Sequence, residues 1–150
     1  MILLDANILV VDLGFPGDVN FTKNRLFLDT IASQKLRRGI LTQGLLEVVG
    51  RRSHNTSQGT VAKLPMVLAR KYGLEIVPDP SNVPEYAGCR YDEILTQMVM
   101  KMSLGDAVMA VQIGKFAPTA TVTVTWDAAH FVGKVAIPVL TPAEWLARNP

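Results

Sequence analysis

Thr121-Val122-Thr123-Val124-Thr125-Trp126-Asp127 decides the fold. Thr121 to Thr125 is an unbroken run of β-branched residues and the clearest strand in the chain, and an acid, Asp127, stands one residue beyond it. Near the start, Ile2-Leu3-Leu4 is a short apolar run of the kind a buried parallel strand shows, and Asp5 follows it directly. In open α/β sheets, ligands bind beyond the carboxyl ends of the strands, so both acids stand where chemistry is done.

The remaining segments fill in a strand–helix alternation. Gly14, Pro16 and Gly17 punctuate a loop. From Thr22 to Arg38, Leu26, Phe27, Ile31, Ala32 and Leu36 keep helical spacing, with Lys35, Arg37 and Arg38 suited to a last turn closed by Gly39. Ile40-Leu41 reads as a very short strand, and Thr42 as the cap of a helix to about Arg52. Thr60 to Tyr72 is helical in pattern, with Pro65 either starting or kinking it. Leu74 to Val77 predicts a third strand, and Asp79 to Arg90, with Pro84 and Gly88, a loop. Tyr91 to Met102 and Asp106 to Phe116 read as two helices broken at Ser103-Leu104-Gly105. Ala136 to Leu140 adds an edge strand that tolerates Pro138, and Thr141-Pro142 opens a last helix. The pattern predicts an α/β domain with a mainly parallel sheet of four to five strands and helices on both faces.

The composition sets the class. The chain has 150 residues, 49% hydrophobic and 19% charged, with a mean hydropathy of +0.23, which excludes a disordered segment and suits one domain spanning 1–150. Cys89 is the only cysteine, so an internal disulfide and a cysteine zinc site are both excluded. The first residues lack the basic start of a signal peptide, and no apolar run approaches the ~20 residues of a membrane helix, so a cytoplasmic location and no membrane partner are expected. Net charge is +2, from 15 basic and 13 acidic residues, and by itself identifies no partner. The placement of the acids carries more.

Besides Asp5 and Asp127, Glu47 lies inside the apolar helix segment Leu45-Leu46-Glu47-Val48-Val49, where an unpaired carboxylate is costly to bury. Asp106 stands at a helix start, where negative charge is favoured. Singly, each has a plain structural reading as a turn, cap or flank residue. Jointly, they form an anionic cluster that like-charge repulsion destabilises unless cations neutralise it. Hard oxygen ligands select Mg²⁺ or Mn²⁺, and carboxylates holding such ions are the apparatus of phosphodiester hydrolysis.

Four segments then resemble the motifs of PIN-domain nucleases in order and spacing: Leu3-Leu4-Asp5-Ala6-Asn7-Ile8-Leu9, Leu45-Leu46-Glu47-Val48-Val49-Gly50, Leu104-Gly105-Asp106-Ala107-Val108-Met109-Ala110 and Thr125-Trp126-Asp127-Ala128-Ala129-His130-Phe131. The resemblance covers essentially the whole chain and is strongest toward small prokaryotic PIN ribonucleases, including virulence-associated-protein-C-type toxins. It implies a single PIN-like domain and a metal-dependent endoribonuclease, with Asp5, Glu47, Asp106 and Asp127 as catalytic, metal-binding acids. Asn7 and Thr125 would orient ligands or metal-bound water. A metal-activated water would cleave RNA to leave a 5′ phosphate. An antitoxin protein and a homodimer are the partners it implies. Trp126 departs from the toxin subgroup, which more often has a small polar or basic residue there, and the segment from Asp79 to Tyr91 is long and proline-rich.

Several features are read more plainly. His130 is taken as structural, Asp92 and Glu93 as helix-start charges, and Met98, Met100, Met102 and Met109 as core. Arg51 and Arg52, one turn after Glu47, are the candidate phosphate contacts. The loop Gly17-Asp18-Val19-Asn20 has no phosphate-loop spacing. Two alternatives stand beside the nuclease. One is a catalytically inactive scaffold that binds RNA or protein. The other is a haloacid-dehalogenase-type phosphatase, which requires a second aspartate where Asn7 stands and a second acid where Ala110 and Val111 stand.

Overall fold

Strand pairing organises the domain, and the computed structural model describes residues 1–54, 56–82 and 88–149. The elements are β1 (Ile2–Leu4), α1 (Ala6–Gly14), α2 (Phe21–Ser33), β2 (Arg38–Leu41), α3 (Thr42–Ser53), α4 (Gln58–Val61), α5 (Leu64–Tyr72), β3 (Leu74–Val77), α6 (Tyr91–Val99), α7 (Leu104–Phe116), β4 (Val122–Val124), β5 (Val139–Leu140) and α8 (Pro142–Arg148). The five strands form one sheet in the order β3-β2-β1-β4-β5, and every pairing is parallel. The expected parallel α/β sheet is therefore the one found.

Alternation along the strands separates two cores. Ile2 and Leu4 of β1, Ile40, Val122, Val124 and Leu140 face α1, α2, α3, α5 and α8. Leu3, Leu41 and Val139 face the other way, against α7 and Phe131. Helix α7 is buried at every residue from Ala107 to Ile113, so it is apolar all round and lacks an amphipathic stripe. Phe27 and Trp145 close the first core edge-to-face, with ring centroids 5.3 Å apart. No single helix among the described residues is long and apolar enough to cross a membrane.

Several boundaries differ from the periodicity. Helix α1 is absent from the sequence-based pattern, because Ala6-Asn7-Ile8-Leu9-Val10-Val11 is too uniformly apolar to show a stripe. Helix α2 ends at Ser33, not Arg38: Lys35 takes a left-handed φ of 53°, and Arg38 instead pairs with Ile2 in the sheet. The stretch Thr60–Tyr72 is two helices, with Pro65 in the first turn of α5. Thr42 is the first residue of α3 and not its cap; its hydroxyl donates to the carbonyls of Val77 and Pro78. The break between α6 and α7 falls at Met100–Met102, where Lys101 has φ 61°. The edge strand is only Val139–Leu140. Thr141 caps α8 as expected, with Glu144 completing a capping box. Asp79–Asn82 and Gly88–Arg90 carry no helix or strand, and Pro84 lies outside the described residues.

Candidate functional site

The sheet order reverses beside β1. From β1 the chain builds β2 and β3 toward one edge, then returns to place β4 and β5 on the other side. The carboxyl ends of β1 and β4 flank that switch point, where α/β sheets bind their ligands. Leu4 pairs in register with Val124, so residues 5 and 125 emerge side by side.

Asp5 is 7% exposed and serves as the N-cap of α1. One carboxylate oxygen accepts the Ala6 N–H at 2.6 Å, and the other accepts the Thr125 hydroxyl at 2.6 Å. The same hydroxyl accepts from Asn7 Nδ2 at 2.9 Å and from the Asp127 N–H at 3.1 Å, which saturates it. Asn7 Nδ2 also donates to Asp127 Oδ2 at 3.1 Å, while Asn7 Oδ1 accepts the Trp126 N–H at 3.2 Å. Asp5, Asn7, Thr125 and Asp127 thus form one hydrogen-bonded knot across the β1–β4 seam.

Burial pushes the Asp5 carboxyl up to about 6, against the lowering by the Thr125 hydroxyl and Ala6 N–H; the charges of Glu47 and Asp127 push it further up. Among the described residues, no cationic side chain is ion-paired or hydrogen-bonded to it. Three of the four expected acids therefore share one electrostatic neighbourhood. Asp106, the third residue of α7 behind the Ser103 cap, is placed differently: its Oδ2 lies 3.6 Å from His130 Nδ1. Glu47 is half-exposed on α3, where Arg51 donates to it at 2.9 Å. Among the described residues, no three His, Cys, Asp or Glu side chains are arranged to hold one metal ion. The donor chemistry nonetheless fits a hard divalent cation: carboxylate oxygens, a buried anion without a cationic partner, and two further acids in its field.

Arg51 and Arg52 end α3 and line a cleft between α1 and α3. His130 is exposed, with Nδ1 3.6 Å from Asp106 Oδ2, so it is a surface residue and not part of the core. Trp126 is an anchor. Its indole N–H donates to Asn24 Oδ1 at 3.0 Å, and Asn24 Nδ2 donates to the Ile8 carbonyl at 2.9 Å. Asp92 is exposed and paired with Arg90 at the start of α6, as a helix-start charge. Met102 and Met109 are core, whereas Met98 and Met100 are exposed.

Three buried polar residues escaped the sequence reading. Asn24 lies on the same α2 face as Phe27, Leu28 and Ile31, a spacing that signals a buried position. Gln112 sits inside the apolar run of α7, and its side-chain carbonyl accepts the Gln43 N–H at the start of α3 at 3.3 Å. Asp12 on α1 accepts from the Tyr72 hydroxyl at 2.6 Å and from Arg25 at 3.0 Å, with Lys71 at 3.6 Å.

No protein-family model and no curated protein matches the sequence. Solved structures do match in fold. FitAB bound to an IR36 DNA fragment is similar at 13% identity and a TM-score of 0.61, covering 95% of both chains. FitAcB from Neisseria gonorrhoeae is similar at 14% identity and 0.61, covering 95% of this chain and 99% of that one. VapBC2 from Rickettsia felis, bound to a DNA fragment from their promoter, is similar at 18% identity and 0.57, covering 93% and 97%. The likeness is one of fold, and it bears out the expected PIN-like architecture.

Proposed function

We propose that this protein is a divalent-metal-dependent endoribonuclease of the PIN type and the toxin of a toxin–antitoxin pair. The observation that carries the nuclease reading is Asp5: a buried carboxylate at the switch point, bracketed by the charges of Glu47 and Asp127, with no cationic side chain paired to it among the described residues. Such a set calls for external positive charge, and carboxylate oxygens suit Mg²⁺ or Mn²⁺. Asp5, Glu47 and Asp127 would hold the ion, with Asp106 contributed from α7. When bound, it supplies positive charge to the scissile phosphodiester and its departing oxygen.

The remaining work falls to the chain itself. Thr125 and Asn7 lock the Asp5 and Asp127 carboxylates in orientation, because each of their polar atoms near the seam is already committed. Arg51 and Arg52 offer guanidinium groups to an RNA phosphate. Capture of a phosphate by Arg51 frees Glu47 from its ion pair. RNA as substrate follows from the motif resemblance. The likeness to VapBC2 and FitAB supports a toxin with an antitoxin partner. The exposed apolar residues Tyr91, Leu95, Val99 and Met100 support a homodimer, and a cytoplasmic location completes the reading.

The test is cleavage of a single-stranded RNA by purified protein with Mn²⁺. Chelation by EDTA should stop it, and Asp5→Ala or Asp106→Ala should abolish it. Cleavage by Asp5→Ala at the parental rate sinks the assignment. One observation favours a second reading, a scaffold that binds RNA without cutting it: Glu47 is engaged by Arg51, and Asp106 lies against His130. RNA binding without Mn²⁺ binding at millimolar concentration would select the scaffold.

A further inference from the structure

Toward the far end of α1 from the acidic seam, between α1 and α3, lies a cleft of about 300 Å³. Val10, Leu13 and Val48 give it an apolar lining, and Phe15, Arg51 and Arg52 line it as well. Its size is at the small end of ligand pockets, matched to one small ring system and not to a helix. Phe15 is 55% exposed, an aromatic face left in solvent at the end of α1. Arg52 makes no ion pair among the described residues, whereas Arg51 reaches from this cleft to Glu47 at 2.9 Å. An apolar slot with an aromatic edge and two guanidinium groups is complementary to a base and its phosphate.

We infer that this cleft is a nucleotide subsite that takes one unpaired base of single-stranded RNA along α1 from the acidic centre, on the Glu47 side. The base seats against Val10 and Leu13, above the buried Val48, with Phe15 as its stacking partner. Its phosphate lies on Arg52 and on Arg51, which ties the subsite to the site through Glu47. The subsite explains why the two arginines at the end of α3 have an apolar floor, which a purely electrostatic phosphate contact does not need. It also selects single strands, since a base held in a duplex stack cannot enter. The inference rests on the RNA reading above, yet binding separates the two.

The experiment measures binding of a fluorescently labelled, mixed-sequence RNA oligonucleotide by anisotropy in EDTA, so that no cleavage intervenes. Phe15→Ala and Arg52→Ala are both surface changes. Phe15→Ala should weaken binding about tenfold, the loss expected for one stacked base. Arg52→Ala should weaken it and reduce the slope of log K against log salt by about 0.7, the signature of one phosphate contact to a single strand. In a nuclear magnetic resonance titration, 5′-adenosine monophosphate should shift the methyl signals of Val10, Leu13 and Val48, and ribose 5-phosphate should leave them in place. Unchanged affinity and salt slope in both variants, with Mn²⁺-dependent cleavage retained by the parent, overturns the subsite and leaves the nuclease standing. Weakened binding in the variants of a parent that never cuts RNA upholds the subsite and removes the nuclease. Still methyls with unchanged RNA affinity overturn the subsite.

Discussion

Replacing Asp5 by asparagine should make the protein more stable at neutral pH while removing its activity. The carboxyl is pushed from 3.8 to about 6, chiefly by burial. A displacement of roughly two pH units corresponds to about 3 kcal/mol of extra cost for holding the ionised form in the folded state. The sign follows from the direction. The folded value lies above the unfolded one, so the favourable contribution of Asp5 is complete below about pH 4 and is lost as pH rises through about 6. Asparagine keeps the shape without the charge. Its Oδ1 can still accept the Ala6 N–H, but its amide nitrogen meets the Thr125 hydroxyl, which already accepts from Asn7 and Asp127. One hydrogen bond is thereby compromised at a cost of about 1 kcal/mol, leaving a net gain of about 2 kcal/mol. For a chain of this length that gain is a rise of about 4–8 °C in Tm. Thermal unfolding followed by circular dichroism in EDTA, near neutral pH and again near pH 5, reads it. The gain should shrink or reverse at the lower pH, where the parental carboxyl is protonated. Added Mn²⁺ should then raise the Tm of the parent and leave Asp5→Asn unmoved. A variant no more stable than its parent near neutral pH, or a difference independent of pH, refutes the account of Asp5 as a strained buried anion.

Other consequences are as direct. Asn24→Ala strands the Trp126 indole N–H and removes a second donor from the Ile8 carbonyl; urea unfolding should show a loss of about 2 kcal/mol, and Trp126 fluorescence should move to longer wavelength as its anchor goes. Asp12→Ala should cost about 1–3 kcal/mol near neutral pH by leaving Tyr72 without its acceptor. Burial raises the Asp12 carboxyl, but the Tyr72 hydroxyl and Arg25 outweigh it and hold the group below its usual range. Its contribution is therefore present above the ordinary carboxylate value and lost as pH falls through the lowered one, so the gap between parent and Asp12→Ala should narrow in acid. Gly73→Ala should destabilise by about 1–2 kcal/mol, because a left-handed residue opposes a side chain and the new Cβ would meet Arg38 at 2.8 Å; equal urea midpoints would contradict it.

Strong local signals carried the reading where they acted alone. The β-branched run before Asp127 and the apolar run before Asp5 are parallel neighbours, because strands buried on both faces leave no other pattern. Where two demands competed, tertiary pairing won. Basic residues that suit the end of α2 lose Arg38 to β2, since an extended backbone beside β1 satisfies its hydrogen bonds and helix propensity is worth only tenths of a kcal/mol per residue. Helix α1 was hidden for the opposite reason: burial around most of its surface erases the periodicity that reveals a helix.

The sequence by itself determined the α/β class and the acids at the strand ends, because these are consequences of residue type and order; Asn7 and Thr125 are singled out only by the motif resemblance. Only the tertiary structure decided how the charges meet. It placed Thr125 between Asp5 and Asp127, turned Asp106 to His130, and made Trp126 an anchor on Asn24. The Asp5–Thr125 contact joins residues 120 positions apart, and the parallel register of β1 with β4 brings them within hydrogen-bond reach.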